Sequence, residues 1–328
     1  MRYRVLLVIM FVTLLHDSVA LCESQTFDWW CDNPHMVASY QPCEDAGILP
    51  TGYYVQDDIL YCGSTLYRYP GQKEQPEFAI PEGVYEIERD AFPNVIFDKL
   101  YIPASCISFG CDENYCINVL ALPKAGSYVV SPNNPLFSSV DGLLLSKDGT
   151  KILLCPYNYE TVNIPDGVTT IGERAFAGSA ITEIRLPDSV THLNNACFAQ
   201  CEFLSKLDLG GSLIYIGDET FEGCMSLETL LLPESLRYIG SNAFAYSSIQ
   251  HLDLPDNIEI LDYYAFYGTQ IEEIVLPASL TYIAEIISHE NTDRTLSPIR
   301  FSVYENSYAH NWALAQELPF LLIPIGNH

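Results

Sequence analysis

From Ile164 onward the apolar positions fall into a short motif that returns every 22 or 23 residues, beginning IPDGVTTIGERAFAGSAITEIRLPDSVTHLNNACFAQCEFLSKLDLGG and continuing to ASLTYI. Each unit holds an L-x-x-L-x-L segment, such as Ile181, Ile184 and Leu186 or Leu227, Leu230 and Leu232, whose last two apolar residues alternate with one position expected to be exposed. That alternation predicts a short strand with one buried edge. Proline then fixes φ and ends the strand in a turn, as in Pro187-Asp188-Ser189 and Pro255-Asp256-Asn257. A second apolar group follows, Val190 and Leu193 or Leu236 and Ile239, and then a small residue and a phenylalanine, as in Ala243-Phe244 and Ala265-Phe266.

Two independent sets of markers keep this step. Phe176, Phe198, Phe221, Phe244 and Phe266 are spaced by 22, 23, 23 and 22 residues, and Pro165, Pro187, Gly210, Pro233, Pro255 and Pro277 move with them. One such unit buries too few apolar side chains to offset the entropy of ordering it, so the units must stack and close their cores against one another. The phrases IPDGVTTIGERAF, LPESLRYIGSNAF and FEGCMSLETLLLP resemble the BspA-type leucine-rich repeats, also called the Treponema type, of bacterial and protozoan surface proteins. The resemblance covers residues 78–123 imperfectly and 160–285 well. It implies a mainly β leucine-rich-repeat solenoid, right-handed, with a parallel sheet on one face. It also implies roles in attachment to extracellular-matrix proteins and in co-aggregation.

Around the array the pattern predicts a signal peptide over 1–20, a Cys-containing N-terminal cap with a first hairpin over 21–75, and an irregular first repeat block over 76–135. A hairpin insertion over 136–159, the regular repeats over 160–285 and a C-terminal capping unit over 286–328 complete the chain. Residues 136–156 carry Ser146-Lys147-Asp148-Gly149 between two apolar runs, which predicts a two-stranded insertion. DDILYCGSTLYRYP has the same order and precedes AIPEGVYEIERDAF, as the later hairpin precedes NIPDGVTTIGERAF, so two modules are expected, each opened by a hairpin. Cys111 falls near the place of a marker Phe in the first. Near the end, Asn306 or Ser307 is expected to cap a short helix with Tyr308, Trp312 and Leu318 on one apolar face, and FLLI to add a last strand that leaves no exposed apolar edge.

Residues 1–20 carry Arg2 and Arg4 before an apolar run and small residues at Ser18 and Ala20, the layout of an export leader. A rival reading makes Cys22 a lipidated first residue, although Leu21 is bulky where such signals want Gly, Ala or Ser. Otherwise no integral membrane span is expected after leader removal. The formal charge of −27 becomes −28 without the leader's two Arg and one Asp. Such a field repels nucleic acid and favours basic partners, although acidic turns also serve simply to keep a long sheet soluble. Eleven cysteines, an odd count at unrelated spacings, argue against a tight bridged framework; one or two bridges among Cys22, Cys31, Cys43 and Cys62 are expected, with pairing unassigned. Cys106, Cys111 and Cys116 lack the close pairs of a structural zinc site, and no metal or cofactor is expected. Cys201 and Cys224 share a slot read as also holding Ser248 and Thr269, and Cys197 replaces the Ala before the marker Phe, so these thiols read as buried filler. The pair His192 and His251 falls on different features of different coils, which leaves it no shared role.

No nucleophile elbow, zinc-protease helix, phosphate loop or calcium loop is present in the sequence, so an enzyme is not expected. Positions between the inward residues of each strand are expected to face solvent as a lattice: Lys99 and Tyr101, Val119 and Ala121, Glu183 and Arg185, Lys206 and Asp208, Thr229 and Leu231, His251 and Asp253, and Glu273 and Val275. Variety at fixed spacing makes this lattice the candidate binding face, with Tyr101, Leu231 and Val275 the first anchors to test. An exported protein binding an extracellular or surface protein, or a glycan, in adhesion or recognition follows. The alternative is a structural or anchoring module of a cell-envelope complex.

Overall fold

The computed structural model describes residues 52–70, 76–92, 95–109, 122–285 and 299–324. The leader, Cys22, Cys31, Cys43, Cys111, Cys116, Val119 and Ala121 lie outside the described residues. The chain is a mainly β, parallel-sheet solenoid of about ten turns, with one short helix near its C-terminal end among the described residues. It divides into two compact units, one of residues 1–97 with 103–123 and one of 98–102 with 124–328.

The first unit opens on an antiparallel meander, Tyr53–Gln56, Ile59–Cys62 and Thr65–Arg68. Its tight turn places Asp57 and Asp58 at φ 52° and 67°, the twist that two-residue hairpins require. Thr65–Arg68 then pairs in parallel with Glu86–Ile87, and that strand with Ser108–Phe109. Tyr69, Phe78, Phe92 and Phe97 form the unit's aromatic core, with Tyr69 edge-on to Phe97 at 5.3 Å.

The second unit repeats that plan. Where a two-stranded hairpin is expected, three strands form: Phe137–Val140, Leu143–Ser146 and Lys151–Leu154. The additional turn is Asp141-Gly142, both at positive φ, a Asp-Gly hairpin pair sitting inside what reads as one apolar run. Lys151–Leu154 starts a parallel ladder that runs through Thr170–Ile171, His192–Leu193, Tyr215–Ile216, Tyr238–Ile239 and Ile260–Leu261 to Tyr282–Ile283. This long ladder is built from the second apolar group of each repeat. The L-x-x-L-x-L segments form a more broken ladder on the other wall, with Thr161–Asn163, Glu183–Arg185 and Lys206–Asp208 in register, a single bridge between Thr229 and His251, and Glu273–Leu276 beyond it. Parallel pairing therefore ties the turns together on two walls.

Between the walls, the phenylalanines stack. Phe176, Phe198, Phe221, Phe244 and Phe266 are fully buried, with successive centroids 5.0, 5.7, 5.4 and 5.9 Å apart and planes within 22°. The residue two before each Phe lies in the left-handed region: Arg174, Ala196, Glu219, Asn242 and Tyr264, all near φ 54°. None is glycine, so the conformation costs energy. The corner's hydrogen bonds to the next turn offset that cost, as where Arg174 N donates to Asn195 O, Phe176 N to Cys197 O and Gly178 N to Ala199 O. The Pro-x-Ser turns add a staple, because Ser189, Ser235 and Ser279 hydroxyls donate to Val168 O, Leu213 O and Ile258 O of the preceding turn at 2.6–2.7 Å.

The alternation of 22 and 23 residues has a local origin. Five residues separate Phe from the next inward apolar residue at Phe176–Ile181, Phe244–Ile249 and Phe266–Ile271, and six at Phe198–Leu204 and Phe221–Leu227. The slot three after Phe is thus Ser179, Cys201, Cys224, Ser247 and Thr269, so Ser247, buried, and not Ser248 is the equivalent of the two thiols. Cys201 Sγ donates to Phe176 O at 3.1 Å and Cys224 Sγ to Phe198 O at 3.2 Å, and burial pushes both thiols, and Cys197, up from their ordinary range. A thiol that resists ionisation is a poor nucleophile, as expected of filler.

At the far end Arg300–Tyr304 pairs in parallel with Glu273–Leu276, and Phe320–Ile323 with Arg300–Tyr304. Helix α1 (Tyr308–Ala315) crosses between them, capped by Ser307, whose Oγ accepts from His310 N at 3.0 Å. Its buried face differs from the expected one. Ala309 and Ala313 are fully buried, Trp312 packs edge-on against Phe301 at 5.7 Å and Leu318 is partly covered, but Tyr308 is exposed. Small side chains let the helix approach closely, and the large Tyr308 is turned away. The last strand also leaves Leu321 and Leu322 exposed, so the end of the array is not free of apolar edge as expected.

Candidate binding surfaces

From Glu183 to Val275 the expected lattice lies on the broken ladder, and Lys99 and Tyr101 lie on a separate strand, Lys99–Ile102, which pairs in parallel with Tyr128–Val130. Lys99, Glu183, Arg185, Lys206, Asp208, Thr229, Leu231, His251, Asp253, Glu273 and Val275 are exposed, and Tyr101 is half-buried. Their neighbours Leu100, Ile184, Leu230, Leu252 and Ile274 are buried, because side chains alternate across a strand and only one edge meets the core. Parallel register puts Glu183 opposite Lys206 and Arg185 opposite Asp208, and both pairs close into ion pairs, 3.5 Å and 3.3 Å. Such exposed pairs contribute about 0–1 kcal/mol each, and they turn this end of the lattice into a self-compensated surface. Farther along, Leu231 is 87% exposed and Val275 41%. Leu231 is the lattice's clearest apolar projection.

The long ladder carries a second surface. Its inward column is Ile152, Ile171, Leu193, Ile216, Ile239, Leu261 and Ile283; its outward column is Lys151, Thr170, His192, Tyr215, Tyr238, Ile260 and Tyr282. In-register aromatic residues stack across parallel strands, with Tyr215 on Tyr238 at 4.6 Å and 6°, and His192 on Tyr215 at 5.8 Å. The Tyr238 hydroxyl donates to Asp262 Oδ2 at 3.0 Å. Partial burial, with Asp262 beside it, raises the Tyr238 phenol from its ordinary value; burial raises Tyr215 as well. Around the adjoining corner the rings continue, Tyr246 edge-on to Tyr267 at 5.2 Å, Tyr267 to Tyr264 at 6.0 Å and Tyr264 to Tyr263 at 6.4 Å.

The sequence held a signal for this surface in the residue just before each second apolar group: His192-Leu193, Tyr215-Ile216, Tyr238-Ile239, Ile260-Leu261 and Tyr282-Ile283. His192 and His251 stand on different walls, one on each ladder. Among the described residues no group of three or more His, Cys, Asp or Glu is arranged to hold a metal ion, and no helix is long and apolar enough to cross a membrane.

The profile of the BspA type leucine rich repeat region matches residues 154–272 and 196–297, in six copies. The repeat array belongs to the BspA-type leucine-rich repeats. Among solved structures, the chain is similar to the pneumococcal vaccine antigen PcpA, at 15% identity over 84% of this chain and 88% of that chain, with a TM-score of 0.49. A leucine rich cell surface protein from Faecalibacterium prausnitzii is 21% identical over 71% of this chain and 54% of that one, at a TM-score of 0.43. The T. pallidum leucine rich repeat protein is 20% identical over 52% and 90%, at 0.39. No curated protein matches the chain in sequence.

Proposed function

We propose that this is an exported BspA-type repeat protein whose array binds macromolecular partners at the cell surface, in adhesion to host or neighbouring cells, and that it works without catalysis. The observation that carries the reading is the two-walled array, which displays varied side chains at fixed intervals on strands held by a continuous core. Recognition by such a frame needs little ordering of the protein on binding, which favours affinity. The export-leader pattern of residues 1–20 supports a surface or secreted location, with lipid attachment at Cys22 the second route to it.

On the broken ladder the reading assigns the contact to the lattice, with Leu231 as anchor, Thr229, His251, Asp253 and Val275 around it and Glu273 at its margin; Lys99 and Tyr101 extend the candidate face on the separate strand Lys99–Ile102. The mature chain, residues 21–328, is expected to retain at least one immobilised extracellular-matrix protein. Leu231→Arg is expected to weaken that retention by about tenfold, the effect of losing one apolar anchor, with no change in thermal unfolding. Retention of nothing at low and physiological salt contradicts the binding function. Retention unchanged in Leu231→Arg contradicts the assignment of this face.

A further inference from the structure

The tyrosines of the last regular turns form one connected surface, and their electrostatic setting is one-sided. Tyr263 is 51% exposed, Tyr246 50% and Tyr282 41%. The rings run from Tyr246 through Tyr267 and Tyr264 to Tyr263, whose phenol lies beside that of Tyr282. Carboxylates are set among them. Asp262 accepts from the Tyr238 hydroxyl and the Tyr263 amide, Glu285 from the Tyr264 hydroxyl at 3.4 Å, and Glu222 acts electrostatically on Tyr246. Glu259 is exposed one residue before Ile260 in the outward column. Between Lys206 and Arg294 the sequence has fifteen Asp or Glu and a single basic residue, Arg237, whose guanidinium is already 3.7 Å from Glu259. The wall therefore offers aromatic rings and hydrogen-bond acceptors in a net negative field, in which Arg237 meets Glu259 and Arg174 acts on Glu222 while Asp262 and Glu285 face tyrosine hydroxyls.

We infer that this tyrosine wall, centred on Tyr263 and Tyr282 with Asp262, Glu259 and Glu285, docks an arginine-rich extended segment of a partner protein. The chemistry is complementary at each level. Guanidinium groups lie flat against tyrosine rings and fork onto carboxylates, and their weak hydration lets them leave water at low cost. The negative field gathers such a segment before contact. Along the outward column Tyr215 stacks on Tyr238, Ile260 follows and Tyr282 lies beyond it, so an extended peptide lying along the ladder meets rings on either side of Ile260 with the carboxylates of Asp262 and Glu285 nearby. A neutral sugar can stack on the same rings but gains nothing from the field. This surface lies on the other wall from Leu231, so the inference stands apart from the lattice assignment.

The test is titration of the mature chain with a fluorescent alternating Arg–Ser peptide, read by anisotropy, beside a Glu–Ser peptide and a neutral oligosaccharide. The Arg–Ser peptide is expected to bind, more weakly as salt rises, and the other two not to bind. Tyr263→Ala with Tyr282→Ala removes two rings and no charge, and is expected to weaken binding by about tenfold, the sum of two cation–π contacts at partly exposed rings. Tyr263→Phe with Tyr282→Phe keeps the rings and is expected to bind within about twofold of the parent, as is Phe203→Ala, which removes an exposed ring elsewhere. Absence of Arg–Ser binding at low salt overturns the proposal. So does equal binding by the double alanine variant when its thermal midpoint matches the parent, since the acidic field alone then accounts for the attraction. Binding of the oligosaccharide in place of the peptide overturns it in favour of a glycan site.

Discussion

Phe221→Ala is expected to cost about 3–5 kcal/mol of stability, the range for deleting a fully buried aromatic side chain whose surroundings cannot collapse into the space. Phe221 has no exposed surface and lies between Phe198 at 5.7 Å and Phe244 at 5.4 Å, so its loss removes two stacking contacts as well as its own burial. Repeat arrays hold together through neighbours only, and a weakened middle turn uncouples the halves on either side. Urea unfolding followed by circular dichroism should show a lowered first midpoint and a broader or two-step transition. Phe203→Ala, at a ring 61% exposed in the neighbouring turn, should stay within about 0.5 kcal/mol of the parent. An unchanged midpoint for Phe221→Ala would mean that the rings are not a shared core.

Gly240→Val should be nearly as damaging, for the opposite reason. A Cβ at Gly240 would stand 2.7 Å from Asp218 N and 2.7 Å from Gly217 C, main-chain atoms of the preceding turn that cannot rotate away. The constraint is steric, since no positive φ applies there; Asn194 and Asp262 carry a Cβ at the equivalent position of other turns, so at Gly240 the two turns must shift locally to admit one. Overpacking of this kind costs about 1–3 kcal/mol for the first added carbon, and the branched side chain should exceed Gly240→Ala. The equivalent position one turn before the cap is Ala284, where a methyl is accommodated, so Ala284→Gly should cost no more than about 1 kcal/mol. Thermal melts of the three variants check this order, and a Gly240→Val protein that melts with the parent would refute the close approach.

The stacking period and the identity of its wedge were legible because both rest on residue type, as phenylalanine and proline recur at one step and only a shared core explains that recurrence. The left-handed corner was not legible, since it is occupied by Arg174, Ala196, Glu219, Asn242 and Tyr264, which share no chemistry. Hydrogen bonds to the next turn impose it, and such bonds leave no mark on the residue that donates its main-chain NH. Asp141-Gly142 did carry a turn signal, but it sat within a run apolar enough to read as one strand. The slot shared by Cys201 and Cys224 was misaligned to Ser248 because the one-residue difference between turns falls just after Phe, downstream of the marker that sets the register.

For the candidate surfaces, alternation along the L-x-x-L-x-L segments was enough to place Glu183 to Val275 outward. It could not show that Glu183 pairs with Lys206 and Arg185 with Asp208, because that depends on register between turns. The tyrosine wall needed the same information. Half-buried Tyr215 and Tyr238 look like ordinary strand residues one at a time, and become a surface only when parallel pairing sets them side by side.

Deleting one whole turn is the most direct test of the architecture on which both surfaces depend. Removal of residues 199–221 joins Phe198 to Glu222 in the phase that Phe221 had, so the spine, the two ladders and the corner bonds are predicted to re-form across the junction. The shortened protein should unfold cooperatively with a slightly smaller denaturant slope, whereas removal of residues 199–209, half a turn, should abolish cooperative unfolding. If the whole-turn deletion fails to fold while the half-turn deletion survives, the turns are not interchangeable units of one stack, and the account is contradicted.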